Sequence, residues 1–151
     1  MISLSLPTIP PSSNHAYINI RGGGGRTLGP AGKKDIRETK VHLAQNFPQL
    51  LMHVRPNVAY AVYFRIYFPE IFNMGWPDSA KTRYKTVDAS NRVKLLEDAL
   101  KAACGIDDAQ NLLVLVEKRQ GPPLTEIFIW NLELEATPLD ALRNLNAVGP
   151  V

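Results

Sequence analysis

The segment that most constrains the fold is NVAYAVYFRIYF, residues 57 to 68. Aromatic and β-branched residues fill it, and a single charged residue interrupts it. Such residues favour strands, and a nearly continuous apolar run indicates a strand that is covered on both faces. We therefore expect a long, largely buried strand that the rest of the chain must surround.

The remaining elements follow from shorter patterns. Alternating ISLSL (2–6) predicts a strand, and Pro30 to about Phe47 predicts a helix with proline in its first turn. A second helix falls within residues 87 to 110, and two strands follow at 111–118 and 124–134. The order β-α-β-α-β-β predicts one small α+β domain, a mixed sheet with two main helices, over residues 1–136. Residues 137–151 form a peripheral tail, in which PLDALRNL is compatible with a short helix.

Composition bounds the class of protein. The chain has 151 residues, enough for one domain with a core, and one cysteine, Cys104, which excludes an internal disulfide and a cysteine zinc site. The N-terminus lacks the features of a signal peptide and no apolar run is long enough to span a membrane, so we expect a cytoplasmic protein. Residues 1–94 hold 13 Lys/Arg against 5 Asp/Glu, while residues 95–151 hold 4 against 9. The basic part suits a polyanionic partner, although solvated faces of mixed charge explain it equally well.

Two loops carry the basic residues. RGGGGRTLG (21–29) is typical of a hairpin tip, which we favour over a phosphate-binding loop, since the following GPAGKKD lacks the pattern of a P-loop. The segment from 69 to 86 is a long loop that ends in KTRYK, where cations alternate with a tyrosine. Phosphate contacts, with Trp76 or Tyr84 stacking on a base, and a plain solvated loop are equally good interpretations.

The stretch VDASNRVKLLEDALKAACGIDDAQ (87–110) contains the most informative acids. Its helix has one broad apolar arc and ends before Gly105. Glu97 with Lys101, and Lys94 with Asp98, are ordinary i,i+4 pairs of the helix surface. Asp107 and Asp108 are different, because two acids at a helix C-terminus meet the negative end of its dipole. A divalent cation would compensate them.

The same stretch resembles the RusA family of Holliday-junction resolvases. DASNRVKLLEDAL (88–100) and DDAQ (107–110) are similar to that family's D-x-D-N-x-x-K, D-A-L and D-D-x-Q, and PPSSNHAY (10–17) is similar to its P-P-S-x-N-x-x-Y. Gly25-Arg26-Thr27 and Gly32 also fit. One position departs, since Ser90 stands where the second aspartate of the first motif is expected. The loss of that negative charge puts metal affinity and activity in doubt.

The resemblance implies a homodimeric, Mg²⁺-dependent endonuclease that cuts four-way DNA junctions, with Mn²⁺ as a substitute metal. The residues with an expected role in catalysis are Asp88, Lys94 and Asp108. The expected metal ligands are Asp88, Ser90, Asp107 and Asp108. The residues expected to contact DNA are Asn14, Arg26, Lys33, Lys34, Lys81, Arg83, Lys85 and Asn91. Oxygen ligands suit Mg²⁺, which would polarise the scissile phosphate, and the lysine would stabilise developing charge.

Helix length raises a geometric problem for this site. A helix from Ser90 to Cys104 spans about 22 Å, so Asp88 and Asp108 are expected near its opposite ends. We therefore expect composite active sites, in which a twofold dimer brings one subunit's Asp88 to the other's Asp107 and Asp108. The alternatives are a DNA-binding protein with a decayed metal site at Ser90 and a structural dimeric module whose acids only cap helices.

Overall fold

The computed structural model describes residues 1–22 and 24–134, and the predicted tail at 137–151 lies outside them. The described elements, in chain order, are β1 (Ile2–Leu6), α1 (Ser13–Ala16), β2 (Tyr17–Asn19), β3 (Arg26–Leu28), α2 (Pro30–Asn46), α3 (Leu50–His53), β4 (Tyr60–Phe68), α4 (Ser90–Cys104), a 3₁₀ helix (Asp108–Gln110), β5 (Asn111–Gln120) and β6 (Leu124–Asn131). The α+β class with two long helices on a mixed sheet is confirmed.

The main sheet has four strands in the order β1-β6-β4-β5. β4 pairs with β6 in antiparallel fashion and with β5 in parallel, while β1 pairs with β6 in antiparallel fashion. β4 is thus an inner strand, and its residues from Tyr60 to Phe68 are almost all buried. The prediction of a strand covered on both faces is confirmed.

Each face of the sheet has its own apolar cluster. One face packs beneath the helices, where Val62, Phe64 and Ile66 of β4 meet Leu96 and Leu100 of α4. The opposite face holds a smaller cluster of Ala61, Tyr63, Phe128 and Trp130. Alternate residues of β4 contribute to the two clusters, as the period of a strand requires.

The local chemistry of α4 explains where the helix begins and ends. The backbone N–H of Asn91 donates to Asp88 Oδ1 at 3.1 Å, so Asp88 satisfies one of the free donors of the first turn. The helix ends where Gly105 adopts a left-handed conformation with φ of 83°, which glycine tolerates best. Ile106, 1% exposed, then anchors the returning chain in the core.

A second, two-stranded sheet was not expected from the sequence. β2 and β3 pair in antiparallel fashion, with Tyr17 opposite Leu28, and enclose the glycine-rich segment. Gly22 has φ of 78°, and the prediction of a hairpin tip is confirmed. The structure adds the two short strands that flank this tip. None of the helices in the described residues is long and apolar enough to cross a membrane.

Candidate functional site

The first part of the site is Asp88, which stands exposed just before α4. Its carboxylate accepts hydrogen bonds from the Ser90 hydroxyl at 2.6 Å and from the backbone and side-chain amides of Asn91. The Ser90 bond, followed by the Asn91 backbone bond, holds the pKa of Asp88 below its usual range. Asp88 is therefore an ionised carboxylate at neutral pH.

The second part is built around the ammonium group of Lys94. Its Nζ lies 2.9 Å from Asp108 Oδ2 and 3.1 Å from Asp98 Oδ1. The Asp108 bond, and then the Asp98 bond, raise the pKa of Lys94. Two carboxylates thus converge on one point that a cation occupies.

Asp98 is also tied to a distant part of the chain. The Tyr17 hydroxyl donates to Asp98 Oδ2, and the Arg26 guanidinium lies 6.0 Å from the centre of the Tyr17 ring. Burial, with the Asp98 bond next, raises the pKa of Tyr17, so this hydroxyl keeps its proton. The sequence interpretation left Asp98 on the helix surface and missed this role. Its spacing of four residues from Lys94 was the available signal.

Asp107 has a different environment from Asp108. It accepts a hydrogen bond from Ala109 N at 3.2 Å and forms a capping box with Gln110, whose Oε1 accepts from Asp107 N at 3.0 Å. Lys101 pairs with its carboxylate and is the main cause of a pKa well below the usual range. The predicted pairing of Glu97 with Lys101 is wrong, since Glu97 instead accepts from Asn111 Nδ2 at 3.0 Å.

The two acids at the end of α4 are therefore compensated by lysines in this structure. Within the described residues there is no group of three or more His, Cys, Asp or Glu side chains that could hold a metal ion. The predicted ligands fall into two places, with Asp88 and Ser90 before the helix and Asp107 and Asp108 after it. A divalent ion bound here would need to displace Lys94 or draw on a second chain.

The expected separation of Asp88 and Asp108 needs correction. The chain reverses at Gly105 and returns along α4, so that Asp108 reaches Lys94 in the first half of the helix. Asp108 is therefore not at the far end of α4. The length of α4 alone, from which we predicted composite sites, therefore gives less support for them than expected.

The residues predicted to contact DNA lie on three segments. Asn14 and Arg26 belong to α1 and β3, and Arg26 Nη2 donates to the Ser13 carbonyl at 3.2 Å. Lys33 and Lys34 lie in the first turns of α2 and are exposed. Asn91 is engaged with Asp88.

The third segment is the loop that leads into α4. Lys81, Arg83 and Lys85 precede Asp88 there, and Arg83 lies 5.7 Å from the centre of the exposed Tyr84 ring. Lys85 pairs with Glu70 across the loop. These cations therefore precede Asp88 in the chain, with Lys85 already paired.

The fold and the site define a small α+β domain with an exposed carboxylate–lysine cluster. No protein-family model matches the chain, and no curated protein matches it. Among solved structures, it is similar to the periplasmic domain of Helicobacter pylori MotB. One MotB structure (residues 78–256) has 15% identity and a TM-score of 0.34, and the match covers 98% of this chain and 87% of that chain. A second (residues 97–256) has 17% identity and a TM-score of 0.29, with 98% and 90% covered.

The assignment to the RusA family is therefore wrong. No family model and no curated protein that matches the chain supports it. The structure gives a physical reason, since several motif positions serve local structure: Asp88 caps α4, and Asp107 and Gln110 form a capping box. The family name and the role in DNA recombination and repair that came with it are withdrawn, whereas cleavage of DNA junctions is untested and stays a prediction. At TM-scores this low, the MotB likeness carries no argument either.

Proposed function

We propose that the protein is a Mg²⁺-dependent enzyme that hydrolyses phosphodiester bonds in branched DNA. The observation that carries this proposal is the convergence of Asp98 and Asp108 on Lys94, at 3.1 and 2.9 Å, on the same helix that Asp88 precedes. Phosphodiester hydrolysis needs ionised oxygen ligands and a cation that stabilises charge on the phosphate.

The oxygen donors are of the kind that a hard divalent cation binds, although within the described residues of one chain they form no group of three. Asp88 is ionised, Asp108 is exposed, and Ser90 adds a neutral hydroxyl. Mg²⁺ is commonly held by one or two carboxylates together with water and phosphate oxygens. Asp88 and Ser90 would hold Mg²⁺ or Mn²⁺ from one chain, and Asp107 and Asp108 of a second copy would complete the site. When bound, the ion supplies polarisation of the phosphate and a more acidic water.

Lys94 would act on the substrate directly. Its side chain is 52% exposed and its bonds to Asp98 and Asp108 are at the surface, where such pairs contribute little to stability. A phosphate oxygen can therefore replace one of these carboxylates. Asp98, held by Tyr17, would keep the ammonium group in place during the exchange.

DNA is the substrate that the surrounding charge favours. Arg26 lies near the site through Tyr17, the exposed Lys33 and Lys34 lie on α2, and Lys81, Arg83 and Lys85 lie on the loop that precedes Asp88. Cations of this kind bind the phosphate backbone without regard to sequence. We propose four-way junctions as the branched form, because a twofold homodimer would present two equivalent sites to two equivalent strands.

A second candidate function is DNA binding without cleavage. It is favoured by Ser90, whose hydroxyl donates to Asp88 instead of supplying a charged ligand. The fold would then keep its basic surface and lose the affinity for a metal. A purely structural dimer, whose acids only cap helices, is the remaining alternative.

One cleavage experiment separates these functions. A synthetic four-way junction is incubated with the protein, with Mg²⁺ and with EDTA, and binding is measured by gel shift in EDTA. The proposal predicts cleavage in Mg²⁺ only, with faster cleavage by Ser90→Asp, and unchanged cleavage by Glu133→Gln, an exposed acid outside the site. Salt-sensitive binding without cleavage by the natural chain would establish the second function, whether or not Ser90→Asp restores cleavage. Neither binding nor cleavage would leave the structural dimer.

A further inference from the structure

A cavity outside the candidate site lies between α2 and the segment that follows β1. Its volume is about 240 Å³, and it is lined by residues 6–8 on one side and by four side chains of α2 on the other. Sites for drug-sized ligands usually have about 300–1,000 Å³, so this cavity suits a smaller molecule. None of its lining residues belongs to the carboxylate–lysine cluster.

The four side chains of α2 share one side of the helix. They are Asp35, Glu38, Thr39 and His42, which recur three, four and seven residues after the first. Residues at these spacings are neighbours on a helix surface. The helix therefore presents two carboxylates and a hydroxyl to the same small space.

Two hydrogen bonds hold the opposite wall of the cavity in place. His42 Nε2 donates to the Ser5 carbonyl at 2.9 Å, and the buried Thr125 hydroxyl donates to the Thr8 carbonyl at 2.9 Å. The segment between Ser5 and Thr8 is thus tied to α2 at one end and to β6 at the other. The fold itself fixes the shape of the cavity.

Thr39 is the residue that points to a ligand. It is 7% exposed and lines the cavity, yet its hydroxyl forms no hydrogen bond with any residue in 1–22 or 24–134. Buried polar side chains are nearly always hydrogen-bonded, and a threonine inside a helix can bond to the carbonyl four residues before it. A hydroxyl that makes neither kind of bond is free to bind a molecule in the cavity.

Asp35 adds a charge that the described part of the chain does not pair. The residue is half-buried, and its carboxylate has neither an ion pair nor a hydrogen bond there. Burial, with the charge of Glu38 next, raises the pKa of Asp35 to about 6, so the group is ionised at pH 8. Glu38 has only a loose contact of 3.9 Å with Lys34, between two exposed side chains. This wall of the cavity is negative and holds no cation firmly.

These groups exclude two classes of ligand. Two neighbouring carboxylates repel an anion. For a metal ion, the described residues offer no group of three suitable side chains. Both ring nitrogens of His42 are also engaged, Nε2 with the Ser5 carbonyl and Nδ1 with Asn46 Nδ2 at 3.3 Å. An organic cation is the class that remains.

We propose that this cavity binds a small primary amine, whose ammonium group is held by Asp35, Glu38 and Thr39 and whose alkyl chain lies against Leu6 and Pro7. A primary ammonium group has three N–H donors, which match the three oxygen acceptors of α2. The two apolar residues face a short alkyl chain across the cavity. Binding at this place uses no residue of the proposed cleavage site and does not depend on DNA.

Titration of the full ¹⁵N-labelled chain with n-butylammonium chloride at pH 8 and constant ionic strength tests the binding. For a ligand of this size we expect a Kd of about 1–10 mM, with saturable shifts in the amide signals of Leu6, Thr8 and residues 35–42. n-Butanol has a similar shape and no charge, and should bind about tenfold more weakly or less. Equal binding of n-butanol, or no saturable shift with n-butylammonium up to about 100 mM, would overturn the proposal.

Single variants test which acceptors hold the amine. Asp35→Asn should raise the Kd by about tenfold or more, and Thr39→Val, which keeps the shape of the side chain, by about three- to tenfold. Glu133→Gln, an exposed acid outside the cavity, is the matched control and should leave the Kd unchanged. Spectra without ligand show whether each variant is folded, and either variant alone suffices for the test. An unchanged Kd in a folded Asp35→Asn or Thr39→Val chain would refute the assigned contacts.

A lysine derivative separates a free amine from a lysine side chain of another protein. Nα-Acetyllysine methylamide should bind no more tightly than n-butylammonium. A Kd more than about tenfold lower would assign the cavity to a lysine side chain and refute the free amine. Amine binding without DNA cleavage would refute the proposed function alone, and cleavage without amine binding would refute this inference alone.

Discussion

The molecule contains two clusters in which one cation lies between two carboxylates, and they differ in burial. Arg65 on β4 contacts Glu117 at 2.8 Å and Glu126 at 3.2 Å, and its side chain is 8% exposed. Lys94 on α4 makes two contacts of similar length, but its side chain is 52% exposed. The same arrangement of charges therefore lies in two different environments, one largely buried and one exposed to water.

In the first cluster, which is largely buried, the charged and hydroxyl groups are paired with one another. Arg65 also donates to the Tyr63 hydroxyl at 3.4 Å and lies over the rings of Tyr63 and Phe128, at 5.3 and 5.4 Å. The Tyr67 hydroxyl donates to Glu126 at 2.9 Å. A buried charge without such partners would be costly. This cluster is occupied with holding β4, β5 and β6 together.

The second cluster keeps its groups available. Lys94 and Asp108 face water, so breaking their contact costs little and a phosphate or a metal ion can compete for them. The difference teaches that the number of ion pairs does not distinguish a structural cluster from a functional one. Under the proposed function exposure does, and this can be tested cluster by cluster.

The largest effect on stability is expected at Arg65. Arg65→Met leaves Glu126 without a cation and Glu117 with Arg119 alone, and should lower the free energy of unfolding by about 3 kcal/mol, measured by urea denaturation. Adding Glu117→Gln and Glu126→Gln to the same chain should recover part of this loss, because the orphaned charges are removed. A loss below about 1 kcal/mol would show that this cluster is not structural.

For Lys94 we expect a small effect on stability and a large effect on the rate of cleavage. Lys94→Met is expected to change the free energy of unfolding by less than about 1 kcal/mol and to slow single-turnover cleavage of a four-way junction by about 100-fold. The matched control is Lys101→Met, a lysine 57% exposed that pairs with Asp107, for which we expect a smaller effect on the rate. Equal losses of rate in both variants would remove the distinction drawn for Lys94.

A half-buried carboxylate, Asp35 on α2, offers a case between the two clusters. Burial, with the nearby charge of Glu38 next, raises the pKa of Asp35 to about 6 from its ordinary 3.8. The folded state therefore binds more protons than the unfolded state between these values, so this group's contribution favours folding as pH falls from about 6 to 4. Asp35→Asn should stabilise the protein at pH 8 by about 1 kcal/mol, after allowance for solvent screening, and by nothing at pH 4. Thermal denaturation at both pH values measures the effect, and an equal gain at both would contradict this cause.

The long elements were predictable because their patterns are local. The apolar run around β4, the helix-starting Pro30 and the glycine after α4 each specify an element within a few residues of its observed bounds. α1, α3, β2 and β3 have three or four residues each, too few for a period to be recognised. The parallel pairing of β4 with β5 depends on contacts between residues about 50 apart, to which no local pattern responds.

The site was predictable in part, for the same reason. Asp88, Lys94 and Asp108 were singled out through the resemblance to a family's motifs, and the structure brings Lys94 and Asp108 together. The part played by Asp98 was missed because its partner Tyr17 is 81 residues away. Lys101 pairs with Asp107, and not with Glu97, because the chain turns back at Gly105. The sequence does not state the direction of that turn.

The most direct test of the proposed chemistry is the cleavage of a four-way junction by Asp88→Asn in Mg²⁺, compared with its binding of the same junction in EDTA. Asp88 is exposed and ionised, so its amide should leave the fold intact while it removes a charged metal ligand. We predict junction binding within about threefold of the natural chain and cleavage at least about 1000-fold slower. Cleavage at the rate of the natural chain would contradict the assignment of Asp88 and, with it, the proposed metal-dependent mechanism.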